Sequence, residues 1–567
     1  MGPIKKPSPA VVAGVAAILI LTLGLRLLDA AERNTLTIDE PHYVGVGLYL
    51  WESGDYDFVE ALSFHPPLTH HLASLALLPW LDDGLEITRG IGGQLLSGPD
   101  PEPQRIRWLS RLPFVGLACW GALLIFLWAR EVAGPGAGLL ALSLYSLSPT
   151  LLGHGFLVHS DIVVTVLFAQ VLYTFWRWWN RPGALRFAVC GLSLGLALLS
   201  KLSALILLPS LGLLLLAMEY GVPPFRSAAD REAGGWLIRG FWLPGLRASI
   251  RLAGLIAIAT GVIWVGYGFS LEFIAAQGGP FPGVPLPSIL QALWFDVEAN
   301  TGSRSIYFFG EIAEGGHFPY LIPVAWALKT PVPVLILLGW ALLAPSSPLA
   351  KAKGDDESQD GGSQDERLGE RVALAIVAVV VAIFLGIVVF WLRVPLGLRY
   401  ALPVIPLIAF FIGIRVAPLR GLRLGATCLL LAWLAVAGAA IHPHYLAHFN
   451  RLAGGPTGAH RFLVDSNLDW GQSLSALADE LEARGNPPVW LGYFGPEPPE
   501  RYGLRAKRLP GCTPVTGTVA ISATLLRGLY SVGNSFASAP PGCYDWLLDR
   551  EPVAQPGYSI LLYEIPE

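Results

Sequence analysis

Two adjacent carboxylates, Asp39 and Glu40, stand in the segment TLTIDEPHY directly after the first long apolar run, and His65 follows in SFHPPLTHHL. Neighbouring side chains point in different directions on any regular backbone. Such a pair therefore divides its labour: one carboxylate deprotonates a hydroxyl while the other binds or orients. The low dielectric of a membrane edge raises a carboxylate's pKa, which suits a base. The same residues also fit an acidic N-cap at a solvated helix end, and Pro66 and Pro67 open a helical segment. Lys201 interrupts an apolar run, where an ionisable group is a functional candidate. Arg111 and Arg399 end apolar runs, where an arginine also serves as a snorkelling interface anchor. His70, His71, His154 and His159 show no regular ligand spacing and read as surface or helix-end histidines, so no metal is expected. In DSNLDWGQ, Asp469 and Gln472 have capping-box spacing, and Trp470 beside polar acceptors offers a surface on which a sugar stacks.

The elements that must position these residues are membrane helices. Of 567 residues, 53% are hydrophobic and 14% charged, against about 25% charged in soluble domains. The aromatic residues suit two membrane interfaces. A net charge of −4 gives no basic stripe for nucleic acid. Spanning takes about 20 mainly apolar residues, and eleven candidates centre on 10–28, 112–129, 137–152, 161–178, 186–200, 203–218, 252–270, 319–343, 372–391, 400–414 and 424–441. The first is expected to be retained rather than cleaved as a signal peptide. The run around Lys201 is too long for one crossing and must bend near Ser200 and Lys201. With these spans, 18 Lys and Arg fall in loops on one side and 8 on the other before the C-terminal part. The N-terminus is thereby predicted inside and the C-terminus outside. Residues 31–111 and 271–318 form the long outer loops, and the polar stretch 345–371 reads as a disordered inner linker. Residues 442–567 have the composition of a small α/β domain, with a helix from Gly471 to about Ala483 and strands in VWLGYFG, VAISATLL and YSILLYEI. Cys119, Cys190 and Cys428 lie in apolar runs; Cys512 and Cys543 can pair if their side is oxidising.

The stretch from Asp39 to Leu68, with Asp-Glu followed by His-Pro-Pro-Leu, resembles the first outer loop of the protein O-mannosyltransferases. Further stretches resemble the wider GT-C superfamily, including the aminoarabinose transferases: Arg111 before the second span, LSPTLLGHGFLVHSD ending at Asp161, GLALLSKLSAL around Lys201, and LRYALPVIP around Arg399 and Tyr400. The resemblance implies a GT-C-type polytopic fold of about eleven transmembrane helices and transfer of a sugar from a polyprenyl-phosphate donor. It implies Asp39 as catalytic base and Glu40 as an acceptor or orienting contact. Tyr43, His65 and Tyr400 become substrate-binding residues of the pocket, Arg111, Lys201 and Arg399 candidates for holding the donor phosphate, and Asp161 an aid to positioning the acceptor or a cation. No β-trefoil insertion of the eukaryotic enzymes fits any segment. The C-terminal part resembles that of bacterial membrane proteins grouped with the family.

The expected function is inverting transfer of a monosaccharide from a polyprenyl-phosphate donor to a hydroxyl of a protein, lipid or glycan on the outer face of the plasma membrane, with no firmly implied cofactor. Two rivals belong to other classes. A transporter or flippase places charges at mid-membrane in repeated broken helices, and an assembly protein uses only its outer domain.

Overall fold

Inside a bilayer every backbone amide must find its partner within the segment, which makes the apolar runs helices. The computed structural model describes residues 8–54, 56, 65–80, 91–97, 103–222, 225, 242–269, 273–275, 285–287, 305–314, 318–344, 361–390, 397–417, 421–529, 540 and 542–567. The first helix, Pro9–Arg33, starts where Ser8 accepts the Val11 N–H through its hydroxyl and Pro9 takes a position that needs no donor.

Among the described residues, seven helices are long and apolar enough to cross a membrane: Pro9–Arg33, Pro103–Ala133, Ser160–Asn180, Leu202–Glu219, Trp242–Gly266, Leu368–Phe390 and Leu422–Ala440. Leu321–Lys329 and Val332–Leu343 form a pair bent by 112°, an eighth span if counted together. The remaining apolar runs carry the shorter helices Pro135–Ser146, Ala184–Leu198 and Val404–Val416. Prolines at positions 135, 149, 331 and 403 explain the shortness of several pieces, since proline cannot donate to the preceding turn. The chain turns at Ser200 and Lys201, with Lys201 in extended backbone between Ala184–Leu198 and the short turn Leu202–Ile206. The expected disordered linker needs correction: its later part, from Gly361, belongs to helix Gly361–Phe390, which continues directly into the apolar span Leu368–Phe390. Its earlier part lies outside the described residues, as does most of the outer loop 271–318.

Lipid tails are as apolar as leucine, so helices associate here through close packing rather than water exclusion. Gly121 shows how: a Cβ at that position would stand 2.5 Å from the Tyr145 hydroxyl and 2.8 Å from Val166 Cγ2. Trp128 stacks on Phe410 at 3.9 Å and Phe168 meets Phe384 edge-on at 5.6 Å.

Two hairpins, β1 (Phe273–Ala275) with β2 (Pro285–Pro287) and β3 (Ser305–Phe308) with β4 (Glu311–Glu314), belong to the second long loop. The C-terminal part forms one four-stranded sheet from β5 (Val489–Gly492), β6 (Ala506–Arg508), β7 (Gly517–Ser522) and β8 (Ile560–Ile565), in the order β6-β5-β7-β8. β5 runs parallel to β6 and β7, and β8 closes the edge antiparallel to β7. Alternation along the strands serves two cores. Ala520, Ile560 and Leu562 pack with Leu474, Leu477 and Leu481 of helix Leu474–Ala483. Val519, Ile521, Leu561 and Tyr563 join the large core that continues into the membrane helices. A disulfide links Cys512 to Cys543.

The C-terminal part is tied to the first loop by hydrogen bonds and a buried ion pair. The Thr35 N–H donates to the Gln472 carbonyl at 3.0 Å and the Ile38 N–H to the Trp470 carbonyl at 3.1 Å. Glu497 accepts from Leu36 N–H at 2.7 Å and from Arg107 Nη1 at 2.9 Å. Asn450 donates to the carbonyls of Ala327 and Thr330 at the bend of the broken helix pair. The loop that carries the two carboxylates is thereby gripped between membrane helices and the sheet domain.

Candidate functional site

Asp39 and Glu40 sit at the start of helix Glu40–Ser53, and the helix start sends them to opposite environments. The Asp39 carbonyl begins the helix by accepting the N–H groups of His42 and Tyr43. Its carboxylate makes no capping bond, so the N-cap reading does not describe its side chain. It remains 39% exposed. Glu40 is fully buried against Arg111, which is also fully buried.

The Glu40–Arg111 pair is saturated. Arg111 has five N–H donors; Nε and Nη2 hold the two Glu40 oxygens at 2.9 and 2.7 Å. Nη1 donates to the carbonyls of Ala31 and Asn34, and Nη2 also to that of Thr35. Glu40 in turn accepts from the N–H groups of Thr37 and Val158 and from the Thr37 hydroxyl. Burial pushes its pKa up, but the Arg111 charge and these hydrogen bonds bring it below the usual carboxylate value. Two expectations are corrected here. Glu40 does not reach an acceptor and Arg111 does not reach a donor phosphate, because every bonding position of the guanidinium is spent on folding the first loop.

Around Asp39 the other sequence candidates converge. Arg399 Nη1 and His159 Nε2 each lie 3.4 Å from Asp39 Oδ2. His159 Nδ1 lies 2.7 Å from Asp161 Oδ2, and Lys201 Nζ holds Asp161 Oδ1 at 2.5 Å. Tyr400 lies between the two cations, its ring 4.9 Å from Lys201 Nζ and 5.7 Å from the Arg399 guanidinium. Tyr43 stacks on His65 at 5.7 Å and on His70 at 4.9 Å, with its hydroxyl 3.3 Å from Ser160 Oγ. Burial, then the Lys201 charge, keep the His65 imidazole neutral. Asp39, Tyr43, His65, Asp161, Lys201, Arg399 and Tyr400 thus form one cluster drawn from five stretches of chain. Asp39, His65, Lys201 and Tyr400 retain exposed surface. Among the described residues, no three His, Cys, Asp or Glu side chains are arranged to hold a metal ion; in this cluster the carboxylates face ammonium and guanidinium groups instead.

The electrostatics of Asp39 also differ from expectation. Burial pushes its pKa up, yet the His159 hydrogen bond and the Arg399 charge outweigh it, and the carboxyl is held well below its usual range. It is lowered rather than raised because hydrogen-bond donors, not lipid, surround it.

Arg399 is fixed from two sides. Its guanidinium stacks on the buried Trp470 at 4.6 Å. The turn before it depends on Gly397 at φ 140°, where a Cβ would stand 2.2 Å from Asn467 Nδ2. Asn467 Oδ1 accepts the Leu398 N–H at 2.9 Å. Trp470 is therefore no exposed sugar platform in this conformation; it backs the arginine. The expected capping box is also absent. Asp469 Oδ2 accepts the Thr524 N–H at 2.9 Å, Gln472 Oε1 takes the Trp470 N–H, and the helix begins only at Leu474, since Gly471 at φ 95° breaks the turn. Sequence reasoning missed His159, which had been read as a helix-end histidine. Its signal is the spacing His159-x-Asp161 at the start of an apolar run, which seats both side chains on the first turn of helix Ser160–Asn180.

Comparison with known proteins gives a family match over part of the chain. Residues 106–228 match the family model described as dolichyl-phosphate-mannose-protein mannosyltransferase. No curated protein matches in sequence. Solved structures similar to the chain include ArnT from Cupriavidus metallidurans bound to undecaprenyl phosphate, at 14% identity and TM-score 0.47, covering 98% of both chains. The oligosaccharyltransferase AglB from Archaeoglobus fulgidus, in complex with an inhibitory peptide and a dolichol-phosphate, is similar at 14% identity and TM-score 0.42, over 76% of this chain and 55% of that one. The S. cerevisiae protein O-mannosyltransferase Pmt1-Pmt2 complex bound to the sugar donor matches at 15% identity and TM-score 0.34, over 54% and 41%. The family match thus covers residues 106–228 of a mostly helical chain whose described residues include seven or eight candidate membrane spans.

Proposed function

We propose that this multi-pass membrane protein transfers a monosaccharide from a polyprenyl-phosphate donor to a hydroxyl of a protein, lipid or glycan, with inversion, on the outer face of the plasma membrane. The observation that carries the reading is the exposed Asp39 carboxylate beside Arg399, in a cluster that also holds Lys201 and Tyr400. The name of the matched family model points to the same donor class.

Asp39 takes the hydroxyl proton as the hydroxyl oxygen attacks the anomeric carbon, and the bond to the lipid phosphate breaks with its electron pair leaving on phosphate. Lys201 and Arg399 supply positive charge for that leaving group. The Arg399 Nε–H is buried without a partner among the described residues, which leaves a donor for an anion. Because Asp39 is held ionised, it is a weak base. Proton transfer then comes late, when bond formation has made the hydroxyl acidic. The excess of basic residues in the assigned inner loops supports an inner N-terminus. The Cys512–Cys543 disulfide is in keeping with an outer, oxidising location for the C-terminal domain.

The test is transfer by purified protein from a panel of polyprenyl-phosphate sugars, polyprenyl-phosphate mannose among them, to peptide, lipid and glycan acceptors. Asp39→Asn is expected to reduce turnover by about 10²–10⁴-fold without altering the melting transition. Full activity in that variant would remove Asp39 from the reaction.

A further inference from the structure

Lys329 ends helix Leu321–Lys329, at the point where the broken helix pair bends. It lies outside the cluster around Asp39, yet it is only 2% exposed. Among the described residues its ammonium pairs with no carboxylate; its partners are the carbonyl oxygens of Leu446, at 2.8 Å, and Asn467. The charge also lies 4.7 Å from the centre of the Phe449 ring. A buried ammonium without a counter-ion is costlier than an apolar side chain of similar volume, so the charge calls for a task. The helix end tolerates it, because the last carbonyls of a helix carry negative partial charge.

The outer domain grips the same helix end in return. The Asn450 N–H donates to the Leu328 carbonyl at 2.8 Å, and Asn450 Nδ2 to the carbonyls of Ala327 at 2.6 Å and Thr330 at 2.8 Å. Carbonyls that a helix end leaves open are thereby closed. The carbonyl of Asn467 leads on to the cluster around Asp39. Lys329 holds that carbonyl, while the Asn467 side chain accepts the Leu398 N–H at 2.9 Å and donates to the Val464 carbonyl at 3.3 Å. Arg399 follows directly, with Nη1 3.4 Å from Asp39 Oδ2. Asn467, Leu398 and Arg399 are all buried, and a packed interior transmits a displacement instead of absorbing it. We infer that Lys329 is a positioning residue for the transfer: by fixing Asn467 it sets the turn at Gly397 and Leu398 that aims Arg399 at the leaving phosphate. The inference rests on the reading of Arg399 as positive charge for the leaving group. It makes the outer domain a working part of the site, since the link runs from a membrane helix through Asn467 to the arginine.

The experiment measures transfer by full-length wild type, Lys329→Met, Arg399→Met and the double variant, with rates normalised to the folded fraction. The donor is polyprenyl-phosphate mannose or whichever sugar of the panel above supports turnover. Arg399→Met is expected to lower kcat/KM for the donor by about 10²–10³-fold. Lys329→Met keeps the side-chain bulk without the donors, and a misaimed Arg399 should lower the same ratio by about 10²-fold, with acceptor KM within about threefold. In the double variant the further loss beyond Arg399→Met should stay within about threefold, because an absent arginine cannot be misplaced. Lys329→Met with fewer folded molecules but wild-type kinetics per folded molecule overturns the inference, leaving Lys329 a role in stability alone. Losses that multiply in full in the double variant overturn it as well. An impaired Arg399→Met beside a kinetically normal Lys329→Met removes the positioning role and spares the reading of Arg399, whereas a fully active Arg399→Met removes that reading itself. Should Lys329→Met fail to fold, Asn467→Ala, which takes the acceptor from Leu398 and leaves Lys329 its carbonyls, decides on the same rate and coupling criteria.

Discussion

Glu40→Gln separates the two neighbouring carboxylates by what each does. Glu40 accepts two bonds from Arg111, the N–H groups of Thr37 and Val158, and the Thr37 hydroxyl. Glutamine keeps one acceptor oxygen and turns an NH₂ group toward donors that need an acceptor. It also leaves the Arg111 charge buried without its counter-ion. Breaking a buried pair in this way costs about 3–5 kcal/mol, whereas Asp39→Asn, at a 39% exposed carboxylate, changes stability by about 0–1 kcal/mol. Thermal unfolding of both variants in detergent, followed by size-exclusion recovery and by transfer assays on the folded fraction, gives opposite patterns: Glu40→Gln melts early, and Asp39→Asn melts normally but is inactive. A cycle with Arg111→Met should be non-additive, the second substitution costing less than it does alone. A Glu40→Gln protein that melts like wild type and yet lacks activity would refute the reasoning and return Glu40 to the chemistry.

Three further outcomes follow from the structure. Burial pushes the Asp469 carboxyl up to about 7 from 3.8. The folded state therefore keeps a proton which the unfolded chain releases between those values, so stability falls as pH rises from 3.8 to about 7 and then levels off. Asp469→Asn should remove up to about 4 kcal/mol of that fall, at about 1.36 kcal/mol per unit, read as the difference between wild-type and variant melting curves across pH; parallel curves count against it. Gly397→Ala meets both a left-handed φ and Asn467, costing about 1–3 kcal/mol. It should reduce transfer by displacing Arg399, and an unchanged rate would show that the turn does not aim the arginine. Glu497→Gln breaks the buried pair with Arg107, which should cost about 3–5 kcal/mol and open the domain junction to limited proteolysis, whereas a wild-type cleavage pattern would mean that the backbone pairing alone holds the junction.

The sequence by itself determined the solvent, the helices and most members of the cluster around Asp39. Long apolar runs leave the backbone no choice but helix, and ionisable residues such as Lys201 stand out because their cost in such surroundings needs a reason. Alternating apolar residues likewise announced the strands of the C-terminal sheet. The division of labour between Asp39 and Glu40 was legible as a division, but not as which residue did what. Only the tertiary structure decided that, because Arg111 reaches Glu40 from another helix and uses all five donors on the first loop. The depressed pKa of Asp39 depends on His159 and Arg399, brought in from distant parts of the chain. Trp470 shows the same limit: composition marks a tryptophan beside polar groups, while packing places it under an arginine rather than a sugar. Periodicity and local cost are properties of neighbours in sequence; charge balance and proton position belong to neighbours in space.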